Sequence, residues 1–348
     1  MKKSILRVFV VIVLPLALIA GINYGIDPDY LLNRHYIKPL AKELLSGKMV
    51  EGPINVNSRM LKKVWMQNMK TPEILILGSS RTLGLSQVTY PGKSFFNASV
   101  TNCSISDMYG FIGVCIEKGN FPLEVIICAD QWLLGNRFVG QNQFDLRAEI
   151  AIADNAIDGK SRNRIKMKQE YFKEKLIQLF SVKYMLRALK IRGKSGLFQV
   201  ADTVVTGKMM FFPDGSRGLP AEMENRTVEA VRKRAISYFY LSNDEKFVNI
   251  EAEKVEQMDR LLGYLKKKNC HVWLYIPPYH PRTWSLLQAS DQHAGVFKTD
   301  EAYKRLAEKY GFSVVGASNP EVLSLTENDF YDGVHLKSKS LNRYFLKN

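Results

Sequence analysis

The chain has 348 residues, of which 46% are hydrophobic and 24% charged, an ordinary globular balance with room for one large or two modest domains. The formal charge is +15, and much of it falls between Asp158 and Lys194. That stretch lacks the aromatic interleaving of a single-strand nucleic-acid binder, so no nucleic acid is expected as a partner. It reads either as a solvated helix face or as a surface for anionic lipid headgroups or an anionic glycopolymer.

Lys2, Lys3 and Arg7 precede an uncharged apolar run from Val8 to Ile22. Counted from Ile5, the run approaches the roughly 20 residues of a membrane helix. Basic residues before it, and Asp27 and Asp29 after it, place the N-terminus in the cytoplasm and the rest outside. Residues 1–24 are therefore expected to be a single-pass transmembrane anchor in the cytoplasmic membrane. A cleaved signal peptide is the competing reading, but Leu18-Ile19-Ala20 makes a poor small-x-small site.

Residues 25–70 look like a connector, punctuated by Pro28, Pro39 and Pro53, with a short amphipathic helix over Ser58–Met69. From residue 71 onward, strands and helices alternate. Glu73–Leu77 is a strand ending in Gly78-Ser79-Ser80. Ser94–Ala98 is a second strand, and Ser104–Lys118 a helix stopped by Gly119. Leu123–Ala129 is a continuous apolar run, as in a strand buried on both faces.

Residues 137–245 break the rhythm and read as a helical and hairpin insertion or lid. In it, Pro213-Asp214-Gly215 marks the turn of a hairpin over Met209–Arg217. The alternation resumes with a helix over Glu251–Lys268 and a strand over His271–Ile276, stopped by Pro277-Pro278. A helix from Thr299 or Asp300 to Tyr310 and a strand over Phe312–Val315 follow. This order predicts one α/β domain, residues 71–348, with a parallel sheet and helices on both faces. The four cysteines match no metal spacing. Cys128 and Cys270 fall at opposite edges of such a sheet, so mostly unpaired, buried thiols are expected.

Ligands of an open parallel sheet bind beyond the carboxyl ends of its strands. Gly78-Ser79-Ser80 lies at one such end, and a helix following it would lend N-terminal amides to an oxyanion. Near the C-terminus, Asp332-Gly333-Val334-His335 offers a base and an orienting carboxylate. A serine, a histidine and an aspartate are the minimum set for acyl transfer through serine. No His, Asp or Glu cluster has metal-ligand spacing, so neither metal nor cofactor is expected.

With these motifs the chain resembles the SGNH (GDSL-like) hydrolase superfamily. Gly78-Ser79-Ser80 is similar to its first block and Asp332-Gly333-Val334-His335 to its last. The resemblance implies a flavodoxin-like three-layer α/β/α fold, with Ser80 as nucleophile, His335 as base and Asp332 as its partner. Asn97-Ala98-Ser99-Val100-Thr101-Asn102 is similar to the second block, with Asn102 where an oxyanion-hole glycine usually stands. The third block departs further: Cys128-Ala129-Asp130-Gln131-Trp132 has no Asn, leaving Gln131 as the available side-chain amide.

A narrower likeness is to membrane-tethered SGNH-like proteins of bacterial surface-polymer acylation, among them those of teichoic-acid D-alanylation and exopolysaccharide O-acetylation. It rests on Gly78-Ser79-Ser80-Arg81, Asp130-Gln131-Trp132, Pro277-Pro278-Tyr279-His280-Pro281 and the last block. It implies an extracytoplasmic serine esterase or O-acyltransferase acting on a cell-surface glycopolymer, with a membrane-bound acyl-transfer partner. The rival reading is a non-catalytic glycan-binding or scaffold protein. Arg81 would contact an anionic substrate or pair with a nearby acid. His280 would line the cleft or stiffen its loop, and Trp132 and Tyr279 would stack on sugar or fill the core.

Overall fold

Five strands make a parallel sheet: β1 (Ile74–Leu77), β2 (Phe95–Asn97), β3 (Glu124–Cys128), β4 (His271–Ile276) and β5 (Ser313–Gly316). The computed structural model describes residues 9–27, 32, 36–52, 57–136, 143–159, 164–191, 198–204 and 207–347. Across the sheet the order is β2-β1-β3-β4-β5, with every neighbouring pair parallel. This is a doubly wound order, in which the direction of travel across the sheet reverses at β1.

Side chains alternate between the two faces with the strand period of two. Leu75, Leu77, Phe96, Val125, Ile127, Val272 and Leu274 join one core. They pack with residues of the helices Ser58–Asn68, Ile105–Lys118, Ala252–Lys267 and Ala294–Tyr310. Ile74, Ile76, Ile126, Cys128 and Tyr275 face a second core. There they meet Val231 of the helix Val228–Leu241, and Leu341 and Phe345 of the helix Ser338–Lys347. Helices therefore cover both faces, as the alternating pattern predicts.

Element ends follow local chemistry. Ser104 and Asp107 form a reciprocal capping box at Ile105–Lys118, and Gly119 closes that helix at φ 69°. The last long helix starts earlier than Thr299, at Ala294, because the Thr299 hydroxyl bonds back to Val296 O inside the helix instead of capping it. Pro281 opens an additional helix, Pro281–Gln288, at its first position, where a missing N–H costs nothing.

The connector is structured. It carries a helix, Ile37–Leu45, and a strand, Met49–Glu51. That strand sits inside an antiparallel sheet with Gln199–Ala201, Met210–Phe211 and Arg217–Gly218. The last two strands form the hairpin expected around Pro213-Asp214-Gly215. Its turn covers the free edge of β2, where Asn97 N donates to Asp214 O at 2.8 Å.

At the N-terminus a π-turn over Phe9–Val13 leads into the helix Leu14–Ile26, with Pro15 in its first turn. Its 13 residues extend about 20 Å, short of a bilayer core of about 30 Å. Among the described residues no helix is long and apolar enough to cross a membrane, so the spanning helix expected over residues 1–24 is not seen. Residues 1–8 of that segment lie outside the described residues. The helix docks on the basic segment: Asn23 Nδ2 donates to Leu179 O at 2.8 Å and Ser181 O at 3.0 Å. All four cysteines are buried and free.

Candidate active site

Every residue of the site hangs from a carboxyl end of the parallel sheet. Gly78 follows β1, and no larger residue fits there. A Cβ would lie 2.3 Å from Thr82 Oγ1 and 2.6 Å from Cys128 Cβ. Ser79 is buried, and its Oγ accepts from Arg81 N at 3.1 Å. Ser80 is only half-buried, which leaves its hydroxyl reachable.

The helix expected after Ser80 does not form. Residues 80–84 form turns and a bend, and the carbonyls of residues 82–85 take donors from distant parts of the chain. Asn97 Nδ2 takes Thr82 O at 2.7 Å and Leu85 O at 2.8 Å. Arg217 N takes Leu83 O at 2.8 Å, and Asn342 Nδ2 takes Gly84 O at 2.9 Å. With these acceptors engaged, no i→i−4 ladder propagates, and no helix dipole points at Ser80.

His335 lies in the loop between β5 and the C-terminal helix. Asp332 organises that loop: its Oδ1 accepts from Val334 N at 3.0 Å and His335 N at 2.9 Å. Both carboxylate oxygens lie 2.9 Å from His335 Nδ1. The Tyr331 ring stacks on the imidazole, 5.2 Å between centroids and 9° from parallel. Gly333 permits the loop to press on the helix Val228–Leu241, since a Cβ there would lie 2.9 Å from Tyr238 Cβ.

The two loops meet: His335 Nε2 is 2.8 Å from Ser80 Oγ. A carboxylate at Nδ1 fixes the proton there and leaves Nε2 as the acceptor facing the serine. Burial pushes the Asp332 carboxyl up, but the His335 ring and the two backbone N–H groups outweigh it and hold it at about 2.

Asn102 sits in the loop after β2 with φ 52°, the left-handed region that a glycine would occupy freely. Arg59 holds this loop, donating to Asn102 O at 2.9 Å and Thr101 O at 3.2 Å. Arg59 is itself fixed by a bidentate pair with Asp107. Among the described residues the backbone N–H groups of Ser80 and Asn102 have no acceptor.

Gln131 and Arg81 do not face a substrate. Gln131 is buried; its Nε2 donates to Pro277 O at 2.9 Å and Ser318 Oγ at 2.6 Å. Its Oε1 accepts from Arg81 Nη1 at 2.8 Å, so the amide has no N–H left for an oxyanion. Arg81 is also buried. It donates to Val334 O at 3.0 Å, Pro277 O at 3.1 Å and Pro278 O at 2.6 Å. Its guanidinium lies 4.7 Å over the Tyr279 ring. Arg81 thus ties together the loops after β1, β3 and β4 and the histidine loop, and its burial keeps the guanidinium away from an anionic substrate.

Asp130 lies behind this cluster, with Arg81 Nη1 3.6 Å from its Oδ1 and the Ser79 and Cys128 side chains beside it. Burial pushes its carboxyl up to about 6 against the pull of Arg81. His280 is buried as well; its Nδ1 accepts from Arg282 N at 3.0 Å, capping the next helix. Burial lowers its pKa to about 4. Trp132 and Tyr279 are buried against Arg81, not displayed as a sugar platform. His271 and His293 bond to Ser313 and Ser290, and His35 lies outside the described residues.

Four residues that organise this region were not singled out by the sequence reading: Arg59, Lys62, Asn97 as an organiser of the Ser80 loop, and Asn342. Lys62 is buried and donates to Asn97 O and Gly215 O, bridging β2 and the hairpin turn. A lysine on the apolar face of Ser58–Asn68 was the one available signal. Among the described residues no group of His, Cys, Asp and Glu is arranged to hold a metal ion. In comparisons with known proteins, no family model matches the chain and no curated protein matches it.

Proposed function

We propose that the protein is a serine esterase or O-acyltransferase of SGNH type, acting on a cell-surface glycopolymer outside the cytoplasmic membrane. The observation that carries this reading is the relay Ser80 Oγ–His335 Nε2 at 2.8 Å, continued from Nδ1 to Asp332 at 2.9 Å. Ser80 Oγ attacks the acyl carbonyl carbon while Nε2 takes the hydroxyl proton. The oxyanion is met by the free N–H groups of Ser80 and Asn102. Collapse breaks the ester bond, Nε2 returns the proton to the departing alkoxide, and the acyl group remains on Ser80. Water as the next nucleophile releases the acid; a sugar hydroxyl completes transfer. A membrane-bound acyl donor fits the transfer branch, and the apolar N-terminal segment fits a tether.

Gln131 favours a second reading, a non-catalytic glycan-binding or scaffold member of a polymer-modification complex. Its amide is committed elsewhere, so no third oxyanion donor comes from that loop. A serine-reactive fluorophosphonate separates the two. Labelling of the wild type with none of Ser80→Ala supports the acyl-enzyme. Equal labelling of both, or of neither, supports the scaffold. For an active protein, measuring acetyl against D-alanyl release from surface polymer identifies the acyl group.

A further inference from the structure

The helices Arg164–Leu179 and Val182–Ile191 carry an outer surface that the serine chemistry does not use. On Val182–Ile191 the side chains divide into three stripes. Tyr184 and Ala188, four apart, are buried and face the protein. Val182, Leu186 and Leu189 are 52%, 59% and 42% exposed and share a second stripe by their i, i+4, i+7 spacing. Lys183, Arg187 and Lys190 fall on a third, adjoining stripe and are exposed. The preceding helix and its end add exposed Phe172, Leu176, Ile177 and Phe180.

A soluble surface seldom gathers so many large apolar side chains, and scattered exposure does not place a basic stripe alongside them. Two further observations identify what covers this face. The helix Leu14–Ile26 packs against the same pair through Asn23, and Tyr184 OH donates to Asp27 Oδ1 at 2.5 Å. Its own exposed residues include Leu14, Leu16 and Leu18, so the apolar surface continues onto the N-terminal segment. An apolar stripe edged by lysines matches the acyl-headgroup boundary of an anionic bilayer, where aliphatic groups enter hydrocarbon and ammonium groups meet phosphates.

We infer that the helical pair 164–191 is an interfacial membrane-binding element, lying in the plane of an anionic bilayer with Val182, Leu186 and Leu189 facing its acyl chains. It acts beside the N-terminal apolar segment as a second attachment, and so fixes the orientation of the α/β domain over the membrane. The inference does not depend on Ser80 chemistry.

The test uses the full chain reconstituted into vesicles of phosphatidylglycerol with phosphatidylcholine, or of phosphatidylcholine alone. Leu186→Cys takes an environment-sensitive fluorophore at a single site, since the native thiols are buried. Leu123→Cys, 63% exposed at the amino end of β3, is the reference. A quencher borne on lipid chains should quench the Leu186 label at least about twofold more than the reference in anionic vesicles. Adding Lys183→Glu and Lys190→Glu should reduce that difference to the level in phosphatidylcholine. A Leu186 label quenched by aqueous iodide as fully as the reference overturns the inference. So does a label shielded equally in detergent and vesicles alongside a dimeric mass, which would assign the face to a second copy.

Discussion

The two loops that meet at the site are built in opposite ways. The histidine loop carries its own frame: Asp332 binds the N–H groups two and three residues ahead as well as the imidazole, and Tyr331 N donates to His335 O, with outside donors from Arg226, His280 N and Arg81 added on the carbonyls of Tyr331, Gly333 and Val334. The serine loop is held from a distance, by Asn97, Arg217 and Asn342 on its carbonyls and by Arg81 reaching across to Val334, Pro277 and Pro278. A local constellation survives changes elsewhere in the chain. A loop fixed by long-range partners is only as well placed as its least secure tether. The precision of the 2.8 Å contact therefore depends on the serine side.

The most severe test strikes the local loop. Asp332→Asn keeps an acceptor for the backbone N–H groups but removes the charge that fixes the His335 tautomer. If the proposed chemistry holds, kcat for ester hydrolysis, or the rate of fluorophosphonate labelling, should fall by about 10⁴-fold. The melting temperature should move by only a few degrees. A loss of folding instead would mean that the carboxylate is mainly structural and the loop is less self-sufficient than its hydrogen bonds suggest.

Arg81→Met should have the next largest effect, and on stability. It strips donors from three buried carbonyls and leaves Asp130 without a cation, a type of change that costs about 3–5 kcal/mol. Urea unfolding measures the loss. A substitution costing less than about 1 kcal/mol would show that the serine loop has other supports.

The same contrast separates what was legible in the sequence from what was not. The five strands, the helices Ile105–Lys118 and Ala252–Lys267, and the Asp332–His335 pair all rest on short-range pattern. Period-two and helical spacings, caps and an i,i+3 pair are visible in single windows. The helix assigned after Ser80, the amide assigned to Gln131 and, of the two roles open to Arg81, the substrate contact rather than the pairing with an acid, which Asp130 supplies, all failed for one reason. Each was judged from its neighbours in the chain, whereas its conformation is set by residues 12 to 258 positions away. Met49–Glu51 escaped likewise: three residues have no periodicity, and their strand pairing comes from beyond residue 198.

Acid and base titration should split the two loops by sign. The Asp332 carboxyl is held at about 2, below its ordinary 3.8, so its contribution to stability is present above pH 4 and is lost as pH falls toward 2. Asp130, behind the serine loop, is pushed up to about 6 from 3.8. The folded state therefore binds its proton more tightly than the unfolded chain, and stability falls as pH rises from about 4 to about 6, then levels. The shift corresponds to about 3 kcal/mol. Asp130→Asn should remove that slope, read as a stability difference from wild type that changes between pH 4 and pH 7. A difference independent of pH would mean that Arg81 compensates the charge fully.

The smallest expected effect is at Asn102, and it bears most directly on the oxyanion. The proposed donor is its backbone N–H, presented at φ 52° by a loop that Arg59 holds through the carbonyls of Thr101 and Asn102. Asn102→Gly keeps that N–H and removes the left-handed penalty, so activity should stay within about threefold and stability within about 1 kcal/mol. Asn102→Val keeps the N–H too but makes the left-handed conformation cost about 1–2 kcal/mol, which the loop can relieve by turning the donor away. Its kcat should fall while labelling of Ser80 still occurs. If Asn102→Gly were as damaging as Asn102→Val, the side-chain amide rather than the backbone would be the donor. The Asn102 side chain would then supply the amide that Gln131, committed to Pro277 and Ser318, does not.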